Sequence, residues 1–125
     1  DDGTCARLSE THFLVTTTTA AAGQVMQHLE FVAQVLRPDL DVRLISVTEQ
    51  WFQAAIAGPK SRDLLNAVLD TPLVAEDWPF MACGEVAVGG IPARLFRISF
   101  SGEHAYELAV PARYGESLFR QLVRR

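Results

Sequence analysis

The stretch ACGEVAVGGIPARLFRISFSGEHAYELAVP, residues 82–111, decides the fold. It contains three strand-like runs, ACGEVAVGG, IPARLFRISF and HAYELAVP, and on either side of Ser101-Gly102-Glu103 apolar and polar residues alternate. Alternation at period two turns one face of each run inward, as a half-buried strand requires. The breaks are Gly89-Gly90 and Ser101-Gly102-Glu103. Gly-Gly between strands is a direct hairpin signal, because glycine adopts positive φ at no steric cost. The expected unit is an antiparallel meander whose second turn carries a carboxylate. Glu103 has a plain explanation there, since Gly102 makes the turn and a charged neighbour keeps it wet; the other reading is a ligand contact. Glu107, between Tyr106 and Leu108, is expected to pair with Arg94 or Arg97 across the strands.

Working outward, ARYGESLFRQLVRR sets Tyr114, Leu118, Phe119 and Leu122 on one helical face. Upstream, DTPLVAEDWPF (70–80) is an irregular crossing with two prolines, long enough to be functional or packed on its own aromatics. Gly58-Pro59 precedes a helix over roughly 60–69 that buries Leu64, Leu65 and Val68. Before it lie two expected strands, DVRLISVTEQ and WFQAAIAG, joined at Thr48-Glu49-Gln50. The run AAAGQVMQHLEFVAQVLRPDL places Val25, Leu29, Val32 and Leu36 at helical spacing, and Arg37-Pro38 ends it. THFLVTTTT (11–19) is rich in β-branched residues and reads as a strand. The predicted class is α+β, antiparallel sheets covered by helices, in the order β-α-β-β-α-β-β-β-α, as one domain over 1–125.

Composition sets bounds on function. With 49% hydrophobic and 21% charged residues, the 125-residue chain has the make-up of a folded globular domain. A net charge of −4 argues against nucleic acid or an anionic membrane as partner, since both need clustered Lys and Arg. No window approaches the roughly 20 consecutive apolar residues needed to span a bilayer, and a cytoplasmic location is the expectation. Cys5 and Cys83 fit no zinc spacing, so no metal site is expected and both are read as buried thiols. His12, His28 and His104 stand in three unlike contexts with no nucleophile signature. VGGIPARL lacks the spacing of a phosphate-binding glycine loop and opens a strand instead of a helix.

Several blocks resemble one family. Asp1-Asp2 followed by HFLVTTTTA, then AGPKSRDLL, WPFM and FSGEHAYEL, is similar to the folate-binding aminomethyltransferases, founded by the glycine-cleavage T-protein. The resemblance runs over essentially the whole chain, as a central part of that family's folate-binding domain. Within the family, TTTTAAAGQVMQHLE and SVTEQWFQAAIAGPKSRD look most like the branch found at the C-terminal end of the large subunits of heterotetrameric sarcosine oxidases.

The resemblance implies tetrahydrofolate as cofactor, with flavin and NAD only in other parts of a holoenzyme and that oxidase's other subunits as partners. It implies an enzyme that oxidises sarcosine to glycine and passes the one-carbon unit to tetrahydrofolate as 5,10-methylenetetrahydrofolate, with release of hydrogen peroxide. It also implies roles for residues. Asp1 matches the acid near the folate N5/N10 region, Glu103 the turn glutamate that hydrogen-bonds the pterin, and Thr4 and Thr18 are carried over as cofactor-binding positions. Thr18 stands where the family has Asn, Ala6 where it has an aromatic residue, and Ser101 where it has Thr. Rival readings are a glycine-cleavage aminomethyltransferase, a dimethylglycine dehydrogenase relative, and a non-catalytic structural or interaction module on the same fold. The chain begins without Met and stops within an expected helix, which reads as a fragment that is inactive alone. Uncovered apolar surface at Trp78, Phe80 and the strand from Ile91 is then expected to cause self-association.

Overall fold

The computed structural model describes residues 1–124, which fall into two compact units, Asp1–Glu49 and a second that starts at Gln50. In the first unit β1 (Gly3–Arg7) and β2 (Phe13–Thr17) form an antiparallel ribbon, in register from Gly3 opposite Thr17 to Arg7 opposite Phe13. Gly3 is required by close approach, because a Cβ there would lie 2.2 Å from the Thr16 carbonyl oxygen. A single 3₁₀ turn leads into α1 (Ala22–Phe31), which widens into a π-helical turn over Val32–Leu36. The last bond of that turn, Arg37 N to Val32 O at 2.7 Å, stops at Pro38, which cannot continue the helix.

Two expectations for this unit are corrected. The strand expected over 11–19 is shorter and has a partner, Gly3–Arg7, that the sequence does not announce; five residues beginning with glycine carry no apolar alternation to reveal a strand. Conversely, DVRLISVTEQ forms no strand. Leu40 N bonds to Arg37 O and Val42 N to Leu40 O, so local turns take the backbone groups a ladder would use, and Ile45 is left 77% exposed. The turn over 48–50 is present but joins this irregular segment to the next strand. The observed order is β-β-α-β-α-β-β-β-α, and the α+β class holds.

The second unit is a four-stranded antiparallel sheet built from β3 (Trp51–Ala57), β4 (Cys83–Val88), β5 (Ile91–Phe96) and β6 (Ala105–Pro111), in the spatial order β3-β6-β5-β4. Ile56, Tyr106, Leu108, Val110, Leu95 and Ala93 share one face and form the core. Leu65 on α2 (Ser61–Asn66) and Leu118 on α3 (Gly115–Val123) pack into it, with Leu69 and Leu73 from the segment after α2. The β4–β5 hairpin turns through Gly89 and Gly90 at φ 56° and 76°. Both turn N–H groups donate to the Asp70 carboxylate, at 2.6 and 2.7 Å. α3 docks through Gly115, where an added Cβ would come within 2.6 Å of the Phe52 side chain.

The crossing over 70–80 packs on its own aromatic residue: the Trp78 ring lies on Gly84 of β4 and joins the core. This corrects the expectation that Trp78 is uncovered, whereas Phe80 is 62% exposed as expected. The turn between β5 and β6 is also longer than its three expected residues. β5 ends at Phe96, and residues 97–104 form a loop. Arg97 ends the β6 ladder because its own guanidinium donates to the Ala105 carbonyl oxygen at 2.9 Å. Its backbone stays tied to the β4 side, with Arg97 N donating to Ala82 O at 2.8 Å and Met81 N to Arg97 O at 2.7 Å. Met81 takes a positive φ of 73° to make that contact.

Candidate functional site

The loop over 97–104 and the crossing that ends at Phe80 enclose a shallow concavity of about 520 Å³ within the second unit. Its lining is Phe80, Arg97, Ser99, Gly102, Glu103 and His104. Gly102 has φ 89°, a conformation that favours glycine, and its N–H donates to Ser99 Oγ at 2.8 Å. That places Glu103 on the rim, exposed to solvent. A hydrogen bond from Ser101, and then one from its own backbone, hold the Glu103 carboxyl below the ordinary value of 4.5. It is a fixed anion at neutral pH.

His104 is the group beside it. Its carbonyl oxygen accepts from Gly58 N at 2.8 Å and from the buried Ser61 hydroxyl at 3.3 Å, which ties the loop to the start of α2. Its ring meets Tyr106 edge to face at 5.3 Å, and Arg97 Nη2 lies 2.7 Å from Nδ1. Arg97 also lies over the Tyr106 ring at 5.0 Å, and Arg62 Nε donates to the Tyr106 hydroxyl at 3.2 Å. Loss of water around the ring, followed by the Arg97 and Arg62 guanidiniums, pushes the His104 imidazole below its ordinary 6.5. A lone histidine in a sequence carries no such information; the only available signal is its place directly after a turn carboxylate.

In the first unit the structure brings Asp1 and Thr18 together. Thr18 N donates to Asp1 Oδ2 at 2.9 Å, and the Thr18 hydroxyl reaches Oδ1 at 3.1 Å. Thr4 is half-buried in β1, opposite Thr16. Elsewhere the expected contacts differ. Glu107 accepts from Gln53 of β3 instead of an arginine. Arg94 stacks over Trp51 at 4.2 Å, and Arg97 is taken up by His104 and Ala105. Cys5 is exposed on the open ribbon and Cys83 half-buried, where the sequence predicts two buried thiols. His28 lies on the helix surface, as expected, and His12 is exposed in the turn between β1 and β2. Among the described residues no group of three or more His, Cys, Asp or Glu could hold a metal ion, and no helix is long and apolar enough to cross a membrane.

Comparison with known proteins places this geometry in context. The family profile described as GCVT N-terminal domain matches residues 1–125. The chain is 59% identical to sarcosine oxidase subunit alpha of Rhizobium meliloti (strain 1021) over 94% of its length and 12% of that protein. It is 46% identical to sarcosine oxidase subunit alpha of Corynebacterium sp. (strain U-96), over 92% of this chain and 12% of that one. It is also 30% identical to an aminomethyltransferase of Thermus thermophilus, over 98% of this chain and 34% of that protein. The chain thus spans about an eighth of the two oxidase subunits it matches.

Proposed function

We propose, from the premise that the chain belongs to the GCVT N-terminal domain family, that it forms the central part of a tetrahydrofolate site in a sarcosine-oxidising enzyme. The observation that carries this reading is the ionised Glu103 on the rim of the concavity. The residues present suit the ligand. A pterin offers an amino group and a ring N–H side by side, and a carboxylate accepts both in a charge-assisted, two-point contact. Gly102 and Ser99 fix the loop that carries Glu103, so little backbone freedom is lost on binding. Phe80, exposed in the same lining, gives the ring an apolar surface to lie on.

Asp1 has the acid's role in this reading. Its carboxylate receives the N–H and hydroxyl of Thr18, which hold it in one orientation and leave further lone pairs available. An oriented carboxylate of this kind accepts a proton from a reacting amine, provided the amine comes within hydrogen-bond reach. Tetrahydrofolate, when bound, supplies the amines that take up the one-carbon unit released from the oxidised substrate. The oxidation itself, with its flavin and NAD and the partner subunits of a heterotetrameric oxidase, belongs in this reading to other parts of the enzyme. The 30% identity to an aminomethyltransferase favours a second reading, one-carbon transfer without an attached amine oxidase.

The test is a calorimetric titration of the intact protein with tetrahydrofolate. Glu103→Gln is expected to bind at least tenfold more weakly, since a hydrogen bond to a charged group contributes about 1.5–3 kcal/mol. Asp1→Asn, which keeps an oxygen for Thr18, is expected to bind almost normally while one-carbon transfer slows by about 10²–10⁴. Unchanged binding in Glu103→Gln and unchanged transfer in Asp1→Asn would instead favour a non-catalytic module on the same fold. Peroxide production from sarcosine separates the oxidase from the second reading.

A further inference from the structure

The ring of His104 is held in a single protonation state by its neighbours, and that state has a use. A guanidinium has only donors, so the 2.7 Å contact with Arg97 Nη2 makes Nδ1 the acceptor and leaves the proton on Nε2. An imidazolium would set two donors against each other at that distance. Two guanidiniums near the ring disfavour a second proton on it. Arg97 comes from the loop after β5, Arg62 from α2 through the Tyr106 hydroxyl, and Tyr106 itself from β6 presents its ring. Glu103, an anion, is its neighbour on the rim. His104 lines the same concavity as Glu103, and Nδ1 is the ring nitrogen that Arg97 occupies.

We propose that His104 is a ligand-binding residue which donates Nε2–H to an acceptor, and that Arg97 is the positioning residue that fixes this tautomer. The concavity then presents an acceptor, Glu103, beside a donor, His104. That pair is the complement of a lactam edge, in which a ring N–H and amino group lie next to a carbonyl oxygen; a pterin has such an edge, and this inference rests on the folate reading above. The pair also sets specificity. A ring with an amino group in place of the carbonyl would set a donor against His104 Nε2–H, and that mismatch weakens binding.

Two measurements on the intact protein test it. The first, magic-angle-spinning NMR with ¹⁵N-labelled histidine and no ligand, is expected to find His104 protonated at Nε2 alone at pH 7, and Arg97→Met is expected to mix the tautomers. The second is calorimetric binding of tetrahydrofolate. His104→Ala is expected to weaken it tenfold or more, and His104→Gln, whose amide N–H stands near the lost Nε2–H, to stay within about threefold of wild type. A ring protonated at Nδ1 overturns the proposal, as do His104→Ala and His104→Gln that both bind normally while Glu103→Gln is weakened, a result that leaves the folate reading standing. If the wild type does not bind tetrahydrofolate, the folate reading fails and the ligand role of His104 fails with it.

Discussion

His104, in contact with the Arg97 guanidinium, couples the stability of the second unit to pH. In an unfolded chain its imidazole titrates near 6.5, and in the fold it titrates lower. Between those values the unfolded state binds more protons, so stability rises with pH across the window, is complete above 6.5, and is lost as pH falls toward the folded value. The thermal midpoint of wild type is therefore expected to fall relative to His104→Gln between pH 7 and 5.5, and to run parallel to it above pH 7. Circular dichroism melts that stay parallel over the whole range would contradict this. At this scale the sequence is legible where chemistry is local: Glu103 follows a glycine that must turn, and its ionised, exposed state follows from that position. The Arg97–His104 contact is not legible, because it exists only where the loop leaves the ladder and brings residues seven apart face to face.

Close approach of backbone to side chain governs the elements. α3 rests on β3 at Gly115, whose missing Cβ makes room for the Phe52 side chain. Gly115→Ala is therefore expected to destabilise the protein by about 1–3 kcal/mol through overpacking, although alanine is the better helix former. A chemical-denaturation midpoint equal to wild type would show that the helix shifts freely on the sheet. The β4–β5 hairpin is readable from Gly89-Gly90, because a two-residue turn with two positive φ values leaves little choice of residue. The ribbon strand over 3–7 and the irregular segment over 41–47 are not readable. A strand is defined by its partner, and alternation in one segment says nothing about what lies beside it.

For the whole molecule, the α+β class and the antiparallel pairing follow from the pattern of runs and breaks, but the division at Glu49/Gln50 does not. No glycine, proline or serine cluster marks it, and what separates the units is that residues 41–47 make no ladder. This segment is the expected first target of limited proteolysis. Arg43 has a side chain 82% exposed and pairs with the still more exposed Asp41, an ion pair worth little in water. Trypsin is expected to cut first after Arg43, since Arg37 is protected by Pro38, and mass spectrometry of early products would contradict this if the first cut fell within residues 51–111.

The same division has an optical consequence. Both tryptophans, Trp51 and Trp78, and both tyrosines, Tyr106 and Tyr114, lie in the unit from Gln50 onward, while the first unit has only phenylalanine as aromatic chromophore. Tryptophan and tyrosine absorbance and fluorescence therefore arise from the sheet and its loops, and no tryptophan or tyrosine stands in the ribbon beside Asp1. A fluorescence melt of this protein follows one unit, and only a backbone signal recorded beside it can tell whether the two units lose their structure together.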